Sequence, residues 1–247
     1  MTPRPGETLD RLAGDWWIFQ LARGHRYATD DLAVAWAGLR ARPAARRVLE
    51  LGAGTGSVGL LALLGLDPQA RLVSVEAQQV SADLMARTLA RNDLQASVDL
   101  RRGDLRDDAV IPERAAFDLI LANPPFLPLG SATPSPVPQR AAARLEQRGD
   151  VFDYARRAAA ALAPDGAWVF CHARTDPRPP AAIAAAGLRL LSRQELIFRE
   201  GRGFGLALYT AAFDGAAETP PLLHVRDASG DWSEPWRAVR RRLNIDA

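Results

Sequence analysis

From Val48 onward, short apolar runs alternate with stretches of helical spacing, the pattern that an α/β fold requires. Val48-Leu49-Glu50-Leu51 predicts a strand that runs into a glycine-rich turn, with a helix over 57–66 after it. A second strand is expected over 71–76, then a helix over 81–92 with Ser81 as its N-cap. A third strand follows over 98–101 and a buried fourth over 117–122. Proline and serine make 127–138 a loop. Beyond it, 151–162 predicts a helix capped by Asp150, 168–172 a strand, and 181–186 a short helix stopped by Gly187. Two last apolar stretches, 188–192 and 204–213, are placed to pair as a terminal antiparallel hairpin. No internal repeat and no linker interrupts the series. One domain is expected over 1–247, with a cofactor-binding catalytic core at 46–213 flanked by an N-terminal extension at 1–45 that is a candidate for a substrate role and a C-terminal one at 214–247.

Composition changes this picture little. Hydrophobic residues at 48% and charged residues at 24% are ordinary for a folded domain, and 247 residues suffice to bury a full core. No apolar run reaches the length of a membrane span, and residues 1–10 lack the apolar stretch of a signal peptide, so a cytoplasmic protein is expected. The single Cys171 excludes an internal disulfide and a cysteine-built zinc site. His25, His172 and His224 lie too far apart in sequence to suggest another metal site. All 31 basic residues are arginine, a bias that GC-rich coding accounts for. It has a physical consequence, because arginine meets phosphate with a planar fork and stacks on bases. The formal charge of +2 is too small to name a nucleic-acid partner by itself.

Gly52-Ala53-Gly54-Thr55-Gly56, between strand and helix, is a nucleotide-binding arrangement. Its glycines permit a tight turn and close approach of a ligand, and the helix N-terminus offers free N–H groups. Gly54, Gly56 and Gly59 also satisfy the spacing of a dinucleotide site, and Glu76 can accept from the ribose of NAD or of S-adenosylmethionine. Asn123-Pro124-Pro125-Phe126, after the fourth strand, separates the two cofactors. The lone pair of an exocyclic amine or amide nitrogen is delocalised, which makes it a poor nucleophile. Two acceptors that grip both N–H bonds draw it toward tetrahedral geometry and aim it at a methyl group. The Asn123 side-chain oxygen supplies one acceptor and the Pro124 carbonyl the other. Pro124 and Pro125 fix that carbonyl by locking φ, and Phe126 offers a flat face to a planar substrate.

In their order, Gly52 to Gly56, Glu76, Asp104 and Asn123 to Phe126 resemble the class I S-adenosylmethionine-dependent methyltransferases, within them the group with an Asn-Pro-Pro-Phe or Tyr signature. The resemblance implies a doubly wound, mostly parallel seven-stranded Rossmann-like sheet. It implies that Glu50 through Gly56, with Gly52 and Gly54, form the methionine side of the cofactor pocket. Glu76 would then hold the ribose, Asp104 the adenine amine of the cofactor, and Leu105 a backbone contact. Asn123, Pro124, Pro125 and Phe126 would carry catalysis. The chain is more closely similar to the bacterial tRNA(Val) adenine N6-methyltransferases, whose N-terminal segment holds a Thr-Asp pair. Here that pair is Thr29-Asp30, counted with the cofactor residues. The same family has an Ala-Arg-His-Glu-like element where this chain reads Ala143-Arg144-Leu145-Glu146, so the histidine is missing.

Arg140, Arg144 and Arg148 recur every four residues, which puts them on one helical face as a phosphate grip or a solvated stripe. Arg237, Arg240, Arg241 and Arg242 invite the same two readings. Trp16-Trp17-Ile18-Phe19 reads as apolar cover for the sheet ahead of a base-stacking platform, and His25 as a structural side chain. Glu7 and Asp10 carry no signal. The expected substrate is N6 of an adenine in tRNA or other structured RNA. The alternative is a glutamine of a protein such as a release factor, but those enzymes carry a longer N-terminal helical domain. Only 47 residues precede Val48 here, strand-like around 16–21. A non-catalytic cofactor-binding partner would be expected to lose Asn123 or the glycines, and both are kept.

Overall fold

A computed structural model describes residues 2–245, so the ends of the expected domain at Met1, Asp246 and Ala247 lie outside the described residues. The chain opens with a two-stranded antiparallel sheet, β1 (Glu7–Ala13) and β2 (Trp16–Leu21). Helix α1 (Thr29–Ala41) follows, then β3 (Arg47–Leu51), α2 (Ser57–Leu64), β4 (Arg71–Glu76), α3 (Gln79–Arg91), β5 (Val98–Arg102) and β6 (Phe117–Ala122). The second half comprises α4 (Pro138–Arg144), α5 (Val151–Ala161), β7 (Leu162–Ala173), α6 (Arg178–Ala185), β8 (Arg189–Ile197), β9 (Gly205–Ala212), β10 (Leu223–His224) and α7 (Glu234–Arg242).

The main sheet has the order β10-β8-β9-β7-β6-β3-β4-β5. Strands β3 to β7 run parallel, and β9 runs antiparallel to both β7 and β8. The seven expected strands are therefore present with their terminal hairpin, and two-residue β10 adds an eighth along β8. Alternate residues of each strand feed opposite faces, as a pleated strand requires. Leu119 and Leu121 join the core under α1, α2, α3 and α7, whereas Ile120 and Ala122 join the core under α5 and α6. On that second face Trp168, Phe170 and Tyr209 stack with ring centroids 4.0 and 5.0 Å apart.

Topology positions the site. The chain winds outward from β3 through β4 to β5, then returns to lay β6 on the other side of β3. Leu51 and Ala122 pair at the carboxyl ends of these two strands, so the glycine turn and the Asn-Pro-Pro-Phe segment emerge side by side. This reversal of strand order is where open α/β sheets hold ligands.

Two local expectations need correction. Helix α3 starts at Gln79 with Gln78 as N-cap, so Ser81 is buried inside the first turn instead of capping it. Helix α6 begins at Arg178, because Pro179 and Pro180 sit in its first turn, where proline costs no hydrogen bond. The N-terminal extension packs closely on the core. Leu32, Val34 and Leu39 of α1 are buried with β6 and β7 residues in one core, and the β1–β2 hairpin docks on α3. Thr88 Oγ1 accepts from Phe19 N at 3.0 Å, and Asn92 Oδ1 accepts from Trp17 N at 2.9 Å. Glu7 pairs with Arg87 at 2.6 Å, and Asp10 pairs with Arg26 at 2.8 Å, so both acids do bind the hairpin to its surroundings. Ile18 and Phe19 are wholly buried and Trp16 packs against the core, which makes this segment cover for the fold.

Candidate active site

The glycine turn holds its shape through positive φ at Gly52 (+70°), Gly54 (+58°) and Gly56 (+90°), the last being the N-cap of α2. At Gly52 a side chain is excluded twice, since an added Cβ would also meet Tyr154 Oη at 2.5 Å. Beneath the turn, buried Glu50 accepts from Gly59 N at 2.9 Å and from Ser74 Oγ at 2.8 Å. Burial pushes the Glu50 carboxyl up to about 7 despite these two bonds. Glu76 accepts from Gly54 N at 2.7 Å and from Gln78 N at 2.6 Å, tying the turn to the end of β4. Burial raises this carboxyl too.

These elements wall a cleft at the carboxyl ends of the strands, where open α/β sheets hold small-molecule ligands. Gly52, Gly54, Glu76, Asp104, Leu105, Asn123 and Pro125 line it. A Cβ at Gly54 would meet nothing within 4 Å, so that backbone is open to a ligand. Asp104 is bonded to Arg106, which holds its carboxyl below the ordinary range. Glu50 and Gly56 do not line the cleft. Glu50 acts from below, on the first turn of α2, and Gly56 turns the chain into that helix. Thr29 lines neither this cleft nor the next.

A second, more open cleft adjoins the first and is lined by Pro124, Phe126, Asp30, Arg23, Arg26, Arg140 and Arg144. His25, Tyr27 and Asn123 line both clefts. Asn123 Nδ2 donates to Asp30 Oδ2 and to Asp31 Oδ1, each at 2.9 Å, and Asn123 Oδ1 accepts from Cys171 Sγ at 3.0 Å. Asp30, expected among the cofactor residues, thus lies in the outer cleft against Asn123. Phe126 rests edge-on against His172, with centroids 5.8 Å apart and planes at 61°. His172 is wholly buried, and that burial lowers its imidazole to about 4, so the ring supporting Phe126 is neutral at physiological pH.

The arginine stripe breaks. Helix α4 ends at Arg144, and Leu145 turns extended to bridge Leu127, which throws Arg148 out of line. Arg148 lines the inner cleft, where its charge bears on Glu76 and Asp104, while Arg140 and Arg144 stay on the rim of the outer one. Neither rim arginine has an ion-pair partner among the described residues, nor does Arg23 beside them. None of the C-terminal arginines lines either cleft, and Arg242 Nη2 donates to Gly65 O, past the end of α2 opposite the glycine turn.

Sequence reasoning did not single out Asp31, Gln139 or Tyr154, all of which line the inner cleft. Gln139 Oε1 accepts from His25 N at 2.6 Å while its Nε2 donates to Ser81 Oγ at 3.2 Å, which sews the N-terminal segment to α3 and α4. Burial lowers the His25 imidazole, and the charges of Arg140 and Arg144 push the same way against Asp30. No helix among the described residues is long and apolar enough to cross a membrane.

A mostly parallel sheet whose order reverses at β3 and β6, with a glycine turn, two cleft carboxyl groups and an Asn-Pro-Pro-Phe segment at the reversal, is the arrangement of a class I S-adenosylmethionine-dependent methyltransferase. The model of the methyltransferase small domain family matches residues 37–181, more than half of the chain. The chain belongs to that family. It is 30% identical over 179 residues to the tRNA1(Val) (adenine(37)-N6)-methyltransferase of Porphyromonas gingivalis, covering 71% of this chain and 69% of that one. It is 29% identical over 179 residues to the ribosomal protein uL3 glutamine methyltransferase of Bordetella pertussis, covering 64% of this chain and 57% of that one. Among solved structures, a predicted O-methyltransferase from Agrobacterium tumefaciens superposes with a TM-score of 0.62 at 20% identity, over 89% of this chain and 99% of the other. The protein is an S-adenosylmethionine-dependent N-methyltransferase.

Proposed function

We propose that this enzyme methylates the exocyclic N6 amine of an adenine in structured RNA, tRNA foremost. The observation that carries the reading is Asn123 at the meeting of the two clefts, with Phe126 and an arginine rim on the outer side. Bound S-adenosylmethionine supplies an electrophilic methyl group. Glu76 and Asp104 are placed to hold its ribose and adenine, and the glycine turn to receive its methionine end.

The protein does the rest by orientation. The adenine stacks on Phe126, and its two N6–H bonds are taken by Asn123 Oδ1 and the Pro124 carbonyl, a carbonyl to which no backbone donor is bonded among the described residues. Held this way, the nitrogen lone pair points into the inner cleft. Arg23, Arg140 and Arg144 offer forked donors to phosphates flanking the base. An unpaired loop base reaches an aromatic face at less cost than a paired one, so a loop adenine is favoured. The name of the Porphyromonas relative fits this substrate. Glutamine methylation is the second reading, favoured by the Bordetella relative, since a side-chain amide presents the same two N–H bonds.

The test is to incubate the enzyme with methyl-labelled cofactor and either total RNA or total protein. N6-methyladenosine in digested RNA supports the proposal. Label on protein glutamine and none on RNA overturns it. Asn123→Ala should lower turnover at least about a hundredfold, the usual loss for one preorganised contact, while cofactor affinity stays near wild type.

A further inference from the structure

The Asn123 carboxamide is surrounded in a way that its role as an acceptor does not by itself require. Its nitrogen has two N–H bonds, and two carboxyl groups take both: Asp30 Oδ2 and Asp31 Oδ1, each at 2.9 Å. Its oxygen has two lone pairs, and one meets only the Cys171 thiol, a weak donor, at 3.0 Å. Turning the amide over would set its oxygen against two carboxyl groups and its nitrogen against a thiol. The flipped state is therefore strongly disfavoured, and it would present a donor where the substrate amine needs an acceptor.

Both acids are delivered by the start of α1. Asp31 is buried and its other oxygen accepts from Ala28 N at 2.9 Å, closing the first turn of the helix. Asp30, beside it, is only half-buried and lines the outer cleft. An ionised carboxyl offers acceptors only, so one ionised acid of the pair is enough to hold the amide nitrogen toward it. Helix α1 packs on β6, the strand that Asn123 terminates, which keeps both acids at fixed height beside it.

We infer that Asp30 and Asp31 are positioning residues that lock the Asn123 carboxamide with its oxygen as the free acceptor for the substrate amine. The inference rests on the reading of Asn123 as the group that grips that amine. Nothing in it requires either acid to touch the cofactor.

Asp30 is the position to test, because Asp31 also caps a helix and its loss would disturb folding. With whichever acceptor the wild type labels, Asp30→Ala should lower kcat about tenfold and leave the cofactor dissociation constant within about twofold. Asp30→Asn, whose side-chain oxygen still accepts from Asn123, should keep most of the activity. Asn123→Asp should be nearly inactive, because it crowds a third carboxyl against two. Asp30→Asn in that background replaces one repulsion with a donor and should restore turnover at least about tenfold over Asn123→Asp alone. A kcat for Asp30→Ala equal to wild type, a fall in cofactor affinity that accounts for its defect, or no recovery in the double variant would each overturn the inference. Loss of activity in Asn123→Ala alongside a fully active Asp30→Ala would sink the lock and spare the amine grip. Full activity in Asn123→Ala would remove both.

Discussion

Replacing Glu50 with glutamine tests the energetics under the glycine turn. Glu50 is fully buried, its two oxygens are bonded to Gly59 N and Ser74 Oγ, and its carboxyl rises from 4.5 to about 7 because burial outweighs both bonds. A glutamine keeps the geometry: its oxygen accepts from Gly59 N, and its amide donates to the Ser74 hydroxyl, which can rotate to accept. Below pH 4.5 the acid is neutral in folded and unfolded chains alike, and the wild type resembles the variant. Between 4.5 and 7 the folded chain keeps a proton that the unfolded chain has released, so wild-type stability falls as pH rises. The full displacement corresponds to about 3 kcal/mol at roughly 1.4 kcal/mol per tenfold change. Glu50→Gln should escape that fall and gain up to about 3 kcal/mol over wild type by pH 8, with little gain at pH 4.5. Urea unfolding at pH 4.5, 6 and 8 with a shared slope reads the difference directly. A gap between the two proteins that stays flat across that range would refute the assignment, whatever its size.

Glu76→Ala should weaken S-adenosylmethionine binding by about 1–3 kcal/mol in calorimetry, because ribose hydroxyls lose a charged acceptor; unchanged affinity would remove Glu76 from the cofactor site. Gly52→Ala forces a Cβ onto Tyr154 Oη at a positive φ and should lower cofactor affinity at least about tenfold, with a Tyr154→Phe second change regaining part of it. Changing Arg23, Arg140 and Arg144 to glutamine should flatten the salt dependence of RNA binding by about one slope unit per lost phosphate contact, with cofactor affinity intact. An unaltered slope would make the rim a solvated face.

What the sequence disclosed about this site, and what it concealed, follows from how each residue reaches its place. Gly52 to Gly56 and Asn123 to Phe126 are contiguous segments, each directly behind an apolar strand, so a strand reading puts both at carboxyl ends. The single topological fact needed to join them is that β6 lies beside β3. Glu76 and Asp104 are legible for the same reason, since Glu76 ends the next strand and Asp104 follows the one after it. Arg148 misled because four-residue spacing points to one face only while a helix lasts, and Leu145 leaves the helix to bridge Leu127. Asp31 was hidden for a different reason. In the sequence it is one acid at the start of an apolar stretch, indistinguishable from any helix-capping aspartate, and its bond to Asn123 closes over 92 residues.

That long closure bears on what residues 1–45 are for. A segment that only covered the sheet would need apolar residues facing inward, and Leu12, Ile18 and Phe19 meet that need without any polar partner in the clefts. Yet the stretch after β2 sends His25 and Tyr27 into both clefts, the start of α1 puts Asp30 into the outer one and Asp31 into the inner one, and Gln139 ties the stretch down from the far side. Burying a carboxyl such as Asp31, raised well above its ordinary range by desolvation and then by Asp30, opposes folding unless its bonds compensate. One of those bonds closes a helix turn, which any N-terminal acid could do from the surface. The other holds Asn123, and only that contact requires the acid to be inside.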